Sequence, residues 1–247
     1  MSPMIKRMRI FAGPNGSGKS TLYEYLVRIG AFRQYYFINA DVIANDLNVS
    51  LDISNYPFVF SAEELCKFLD ISPFQNLVPY QLSKQIDIQE KVISLKKTKD
   101  ENTTYLAAAI AEFLRSKMMQ TDSSFSFETV FSHPSKIKEI QTAKKAGFKT
   151  YLYCIATSDH TIGMQRIQNR VRCGGHNVPV EKVKSRYFKT MENMIDAFKL
   201  CDKVFFFDNS AEKSNAAYNC FAEKNGNTLR FDPSVPLWFE TYILKNI

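Results

Sequence analysis

The sequence predicts an α/β fold built on a parallel sheet of five strands, with helices on both faces. Three observations predict it. Short apolar runs alternate with helical segments along the whole chain, which is the pattern of parallel strands joined by crossover helices. Hydrophobic residues make up 45% of the 247 residues, with 20 Phe and 12 Tyr, enough to bury a sizeable core and to exclude disorder as the main state. There are only nine glycines, and three of them fall within six residues directly behind the first apolar run, where a tight backbone feature is needed.

That first run, 9–12, reads as a buried strand. It leads into Gly13-Pro14-Asn15-Gly16-Ser17-Gly18-Lys19-Ser20, followed by Thr21 and a helical stretch over 22–29. The spacing GxxxxGK[ST] between a strand and a helix is that of a phosphate-binding P-loop. Glycines let successive N–H groups curl round a phosphate, and the new helix points its positive end at the same anion. The four fixed positions arise by chance in roughly one protein in a hundred of this length. Lys19 is placed to reach the β- and γ-phosphates and the Ser20 hydroxyl to ligate Mg²⁺.

The second strand, 35–39, ends in Asn39-Ala40-Asp41 before a helical run at 42–47. Two roles for Asp41 stand open on spacing alone, a general base for an acceptor hydroxyl and the N-cap of the helix behind it. Residues from about 48 to 102 read as a mostly helical insertion, broken by Pro57, Pro73 and Pro79, with 87–99 as a charged helix. A clearer helix over 103–119 carries Leu106, Ile110, Phe113 and Leu114 on one face. The third strand, 125–129, carries Glu128 near its carboxyl end, where P-loop proteins hold the metal. A helix over 136–146 closed by Gly147, a strand over 149–156 and a last strand over 203–207 complete the alternation.

The net charge is +7, and it is concentrated. Between His160 and Thr190 lie seven Lys and Arg against Glu181 alone, and Arg166 and Arg170 stand four apart on an expected helix. A solvated basic helix would explain the run by itself. Behind a P-loop, the same segment reads as a lid over about 160–190, with Arg166, Arg170 and Arg172 closing on the phosphates and Gly174-Gly175 supplying the bend. A nucleic-acid site is disfavoured, because the excess is local rather than a stripe. The five cysteines are odd in number and widely spaced, which suits reduced thiols in a cytoplasmic setting. No apolar stretch is long enough for a membrane span, and no secretory leader is expected. The histidines His133, His160 and His176 lack metal-ligand spacing and read as loop residues beside the site. Trp238 is expected to pack a C-terminal segment onto the core.

The set Gly13 to Thr21, Asn39-Ala40-Asp41, Phe127-Glu128-Thr129, Arg166 to Pro179 with Arg186-Tyr187, and Asp208-Asn209-Ser210 resembles the zeta-toxin family of P-loop kinases and its zeta-like relatives. The resemblance spans nearly the whole chain. It implies a P-loop nucleoside-triphosphate-hydrolase fold in a single kinase domain over 1–247. It also implies ATP- and Mg²⁺-dependent phosphorylation of a small-molecule hydroxyl, in the best-known members on UDP-N-acetylglucosamine. Carried over by motif, Asp41 becomes the general base, Glu128 the acid at the metal beside Ser20, and the three arginines lid residues; Asn209 borders the adenine. A neutralising antitoxin-like partner is implied as well. The rival readings are a nucleotide-dependent switch acting on a protein partner and a polynucleotide end kinase.

Overall fold

The computed structural model describes residues 5–96, 103–173, 178–211 and 218–247. The strands are β1 (Arg7–Ala12), β2 (Tyr36–Ile38), β3 (Leu51–Asp52), β4 (Ile86–Gln89), β5 (Val92–Leu95), β6 (Phe125–Thr129), β7 (Lys149–Ala156), β8 (Lys203–Asp208), β9 (Cys220–Asn225) and β10 (Thr228–Phe231). The α-helices are α1 (Lys19–Arg28), α2 (Ala40–Leu47), α3 (Ala62–Ile71), α4 (Thr103–Met118), α5 (Ser135–Lys145), α6 (His160–Arg172), α7 (Val180–Leu200) and α8 (Leu237–Tyr242). The chain forms two units. Residues 1–34 and 126–247 make the first and 35–125 the second.

In the first unit the sheet runs in the order β10-β9-β8-β7-β1-β6. β1 pairs with β7 in parallel, Ile10 opposite Leu152, and β7 pairs in parallel with β8, Leu152 opposite Val204. These strands are almost continuously apolar and buried, as parallel strands are when helices cover them. The parallel expectation fails at one edge. β9 runs antiparallel to β8 and is joined to β10 by a hairpin at Gly226, whose φ is 59°. The two-residue turn Gly226-Asn227 is a short-range hairpin signal, since its first position takes positive φ and suits glycine.

Local chemistry sets the helix ends. Asp159 accepts from Thr161 N at 2.7 Å and starts α6; hydrogen bonds from the Thr161 side chain and backbone hold its carboxyl below the usual range. Gly147, at φ 85°, ends α5 in a Schellman arrangement, with Phe148 N donating to Ala143 O and Gly147 N to Lys144 O. The C-terminus of α7 is closed by a side chain from another element. The buried Lys224 ammonium of β9 donates to Phe198 O, to Lys199 O and, at 2.9 Å, to Cys201 O. A cation at a helix C-terminus meets the negative end of its dipole. Lys224→Met is therefore expected to cost about 1–3 kcal/mol, because buried carbonyls lose their donor. Thermal melting should show a drop of about 2–4 °C for each kcal/mol.

Trp238 packs as expected. It is buried against Phe221 and Phe239, and its Nε1 donates to Asp208 Oδ1 at 2.8 Å. All five cysteines are free.

The second unit corrects the helical reading of 48–102. α3 is a helix, capped by Ser61, which accepts from Glu64 N at 3.1 Å. Residues expected as a charged helix from Asp87 onward instead form the hairpin β4–β5, with Glu90 turning at φ 54°; β3 completes a three-stranded antiparallel sheet, and 97–99 lie outside the described residues. The period-2 alternation of Ile86, Ile88, Ile93 and Leu95 carried that signal beneath the charges. α4 buries Leu106, Ile110, Phe113 and Leu114 as its periodicity required. Lys117 from the same helix pairs with Glu64 at 2.9 Å. Among the described residues no helix is long and apolar enough to cross a membrane.

Candidate nucleotide site

β1 ends at Ala12 and the chain enters the glycine loop at once. Gly13 has no room for a side chain, since a Cβ there would collide with the Ile155 carbonyl of β7. Its N–H donates to Thr129 O of β6 at 3.4 Å, so the loop begins pinned between two strands. Gly16 and Gly18 take φ values of 75° and 95°, left-handed conformations that favour glycine. Gly18 sits at the start of α1, which has neither a side-chain cap nor an acidic residue in its first turn. An uncapped helix N-terminus behind a left-handed loop leaves its N–H groups available to an anion.

The loop's polar groups have unequal partners. Ser17 Oγ is fully buried with no hydrogen-bond partner, and Asn15 Oδ1 is likewise buried without one. Buried polar atoms of this kind are costly unless something supplies the missing bonds, and a bound phosphate would accept from the Ser17 hydroxyl. Lys19 is buried. Its Nζ donates to Pro14 O at 2.9 Å and lies 3.9 Å from Glu128 Oε1. Ser20 Oγ donates to Glu128 Oε2 at 2.8 Å. Lysine, hydroxyl and carboxylate thus meet at the head of α1, although Glu128 lies 108 residues from Ser20 in sequence. A hydroxyl beside a carboxylate is an oxygen donor pair that fits Mg²⁺, which takes the rest of its ligands from water and phosphate.

Two further elements grip the loop. Asn209, just past β8, is buried; its Nδ2 donates to Ser17 O at 2.8 Å and its N–H to Ala156 O at 2.8 Å. Arg166 of α6 reaches Gly16 O at 3.5 Å and Ala211 O at 3.3 Å. Of the expected lid arginines, Arg166 is therefore at the loop, whereas Arg170 and Arg172 are exposed one turn and more further along α6. The bend at Gly174-Gly175 and His176 lie outside the described residues.

Asp41 belongs to the second unit, on the first turn of α2. One of its open roles is taken by a neighbour, since Asn39 is the cap, accepting from Asp41 N at 2.8 Å and Val42 N at 3.4 Å. The Asp41 residue is exposed. His133 stands beside Ser135, ring Nδ1 to Oγ 2.9 Å, and His160 faces the rings of Tyr187 and Phe188.

Sequence reasoning missed two residues of the site. Gly163 of α6 lies against the loop so closely that a Cβ on it would stand 2.5 Å from Asn15 O, and a Cβ on Gly16 would stand 2.5 Å from Gly163 O. Its signal was a lone glycine inside a helical pattern, which marks a close approach. Gly163→Ala sets a helix-propensity gain of up to about 1 kcal/mol against this clash. The melting point should barely move while nucleotide affinity, read by calorimetric titration, falls severalfold as the loop is displaced. Tyr218 is the other. It hydrogen-bonds Thr21, and its ring lies 5.4 Å from that of Tyr25 on α1; burial pushes its phenol up. No local pattern announces it.

A family model described as an AAA domain matches residues 8–193. A curated relative from Haemophilus influenzae, described as an uncharacterized protein, is 38% identical over 63 residues, covering 26% of this chain and 45% of that one. Among solved structures, the AvrRxo1-ORF1:AvrRxo1-ORF2 complex with sulphate ions aligns at TM-score 0.56 and 16% identity, over 96% of this chain and 63% of that chain. The same complex with ATP aligns at TM-score 0.53 and 16% identity, over 92% and 61%. The PezAT chromosomal toxin-antitoxin system of Streptococcus pneumoniae aligns at TM-score 0.49 and 14% identity, over 83% and 68%. The chain thus spans less than two thirds of the length of the curated relative and of the AvrRxo1 chain. At these identities the structural likeness is one of fold.

Proposed function

The chain belongs to the AAA-domain family and has a P-loop kinase-like fold, and on that premise we propose that it is an ATP-dependent kinase that transfers the γ-phosphoryl group to a hydroxyl of a small molecule. The carrying observation is the meeting of Lys19, Ser20 and Glu128 at the head of α1. A loop that only held phosphate would not need a mostly buried acid beside the hydroxyl.

The roles follow from the groups. The loop from Gly13 to Thr21 cradles the phosphates with its N–H groups, and the Ser17 hydroxyl gains an acceptor when a nucleotide is bound. Lys19 leaves the Pro14 carbonyl and Glu128 to neutralise charge on the transferring group. Ser20 and Glu128 would hold Mg²⁺, which would offset the negative charge of the phosphates when bound. Asp41 takes the proton of the acceptor hydroxyl; supporting this are its exposed residue and the assignment of the helix cap to Asn39. Arg166 moves from loop carbonyls to phosphate oxygens, which accept charge-assisted hydrogen bonds more strongly, and Arg170 and Arg172 follow on the same helix as the lid over about 160–190 closes. Asn209 fixes the loop through Ser17 O and borders the base. The resemblance to zeta-type kinases makes a nucleotide sugar such as UDP-N-acetylglucosamine the first acceptor to try. It also supports a cytoplasmic setting and an antitoxin-like partner, and the AvrRxo1 structure is itself a two-protein complex.

The test is incubation with ATP·Mg and a panel of nucleotide sugars, nucleosides and oligonucleotides, followed by mass spectrometry. A small-molecule acceptor should gain one phosphate. Transfer to oligonucleotide ends alone would establish a polynucleotide kinase, and hydrolysis with no acceptor a nucleotide-dependent switch.

A further inference from the structure

The chain makes an unusual turn just past Glu128. Phe131 is 1% exposed, yet its φ is 63°. A bulky residue in the left-handed region costs on the order of 1–3 kcal/mol and persists only where its surroundings over-determine it. Here they do so from two directions. On the strand side, Phe131 N donates to Thr129 Oγ1 at 3.1 Å, and Thr129 O accepts from Gly13 N. On the helix side, α7 supplies two donors. Asn193 Nδ2 donates to Phe131 O at 3.0 Å. Thr190 Oγ1 lies 2.7 Å from Val130 O and 2.6 Å from Arg186 O, with one proton between them.

The end of β6 is thus bonded to the P-loop in front and to α7 behind. Glu128 directly precedes these anchors, three residues before the strained turn, and accepts from Ser20. If the turn relaxed toward ordinary φ, the direction of the chain at Thr129 would change and the carboxylate would swing with it. A sub-ångström shift matters for Mg²⁺, which demands near-ideal octahedral geometry.

We infer that Asn193 is a positioning residue for the metal site: by holding the Phe131 carbonyl it keeps the left-handed turn that aims Glu128 at Ser20. This rests on the reading of Ser20 and Glu128 as the Mg²⁺ pair and deepens it. It also gives α7 a second task. The helix that forms the C-terminal root of the proposed lid is bonded directly to the strand that carries the metal carboxylate.

The test is binding of a fluorescent methylanthraniloyl-ADP across a Mg²⁺ titration, with thermal melting alongside. Asn193→Asp is isosteric and lacks the donor, and Asn193→Ala removes it without adding charge. Both should bind the nucleotide in EDTA as the wild type does, while the Mg²⁺ needed for half of the metal effect rises about tenfold or more, as when ligand-orienting partners are lost. Thr190→Val should move the curve in the same direction by less, because its proton is shared. Lower melting points with an unmoved Mg²⁺ curve would show that Asn193 is only structural and overturn the proposal. If neither Asn193 variant folds, an unmoved curve for Thr190→Val overturns it. Wild-type binding that ignores Mg²⁺ would overturn the metal reading as well, which distinguishes the two failures.

Discussion

Lys19→Met is expected to leave a folded protein whose ATP turnover falls by at least about 10²–10³-fold, the usual cost of removing one preorganised donor from a transferring group. Methionine fills nearly the same buried volume, and Glu128 keeps its hydrogen bond from Ser20, so the fold loses little. The 3.9 Å separation of Lys19 and Glu128 bears on the sign of the small stability change. Removing the ammonium deprives a mostly buried carboxylate of a nearby cation, which destabilises, while relief from burying the cation stabilises. We expect a net shift within about 1–2 kcal/mol. Turnover assays and melting curves on one preparation check both halves of this expectation.

Asp41→Asn should separate binding from chemistry more sharply. Asn39 already caps α2, so the substitution removes no cap; the loss of a first-turn acid costs only about 0.3–1 kcal/mol. Calorimetric titration should give wild-type affinity for ATP·Mg, while transfer to the acceptor falls by about 10²–10⁴-fold, the usual contribution of a general base. A purely structural Asp41 would instead give unchanged transfer with, at most, a slightly lower melting point.

What the sequence made legible follows the range of the interactions. The five strands of the alternating pattern and the P-loop were readable because each rests on a local signal. An apolar run bounded by turns is such a signal, as are glycines needed for positive φ at Gly16 and Gly18 and the Gly147 closure of α5. Glu128 was found from its place near a strand end, and the structure puts it 2.8 Å from Ser20. The second unit was misread at 87–95 because charges at Asp87, Glu90 and Lys91 outweighed an alternation only two strands long. The β9–β10 hairpin was missed although Gly226-Asn227 announced it.

The remainder was invisible for a physical reason. That Gly163 must lack a side chain depends on a loop carbonyl nearly 150 residues away in sequence. That Asn193 matters depends on one backbone carbonyl 62 residues distant. No periodicity encodes such pairs. Arg166, Arg170 and Arg172 look equivalent in sequence, and their place along α6 separates Arg166, at the loop, from its exposed neighbours one turn and more further on.

The central claim is that the phosphoryl group held at Lys19, Ser20 and Glu128 passes to a hydroxyl rather than to water. It is tested most directly with ATP carrying oxygen-18 on its three non-bridging γ-oxygens. After incubation with Mg²⁺ and the acceptor panel, all three labels are expected together on the phosphate gained by one small-molecule acceptor, with little labelled inorganic phosphate. Recovery of the label entirely as inorganic phosphate, with every acceptor unchanged, would contradict the account.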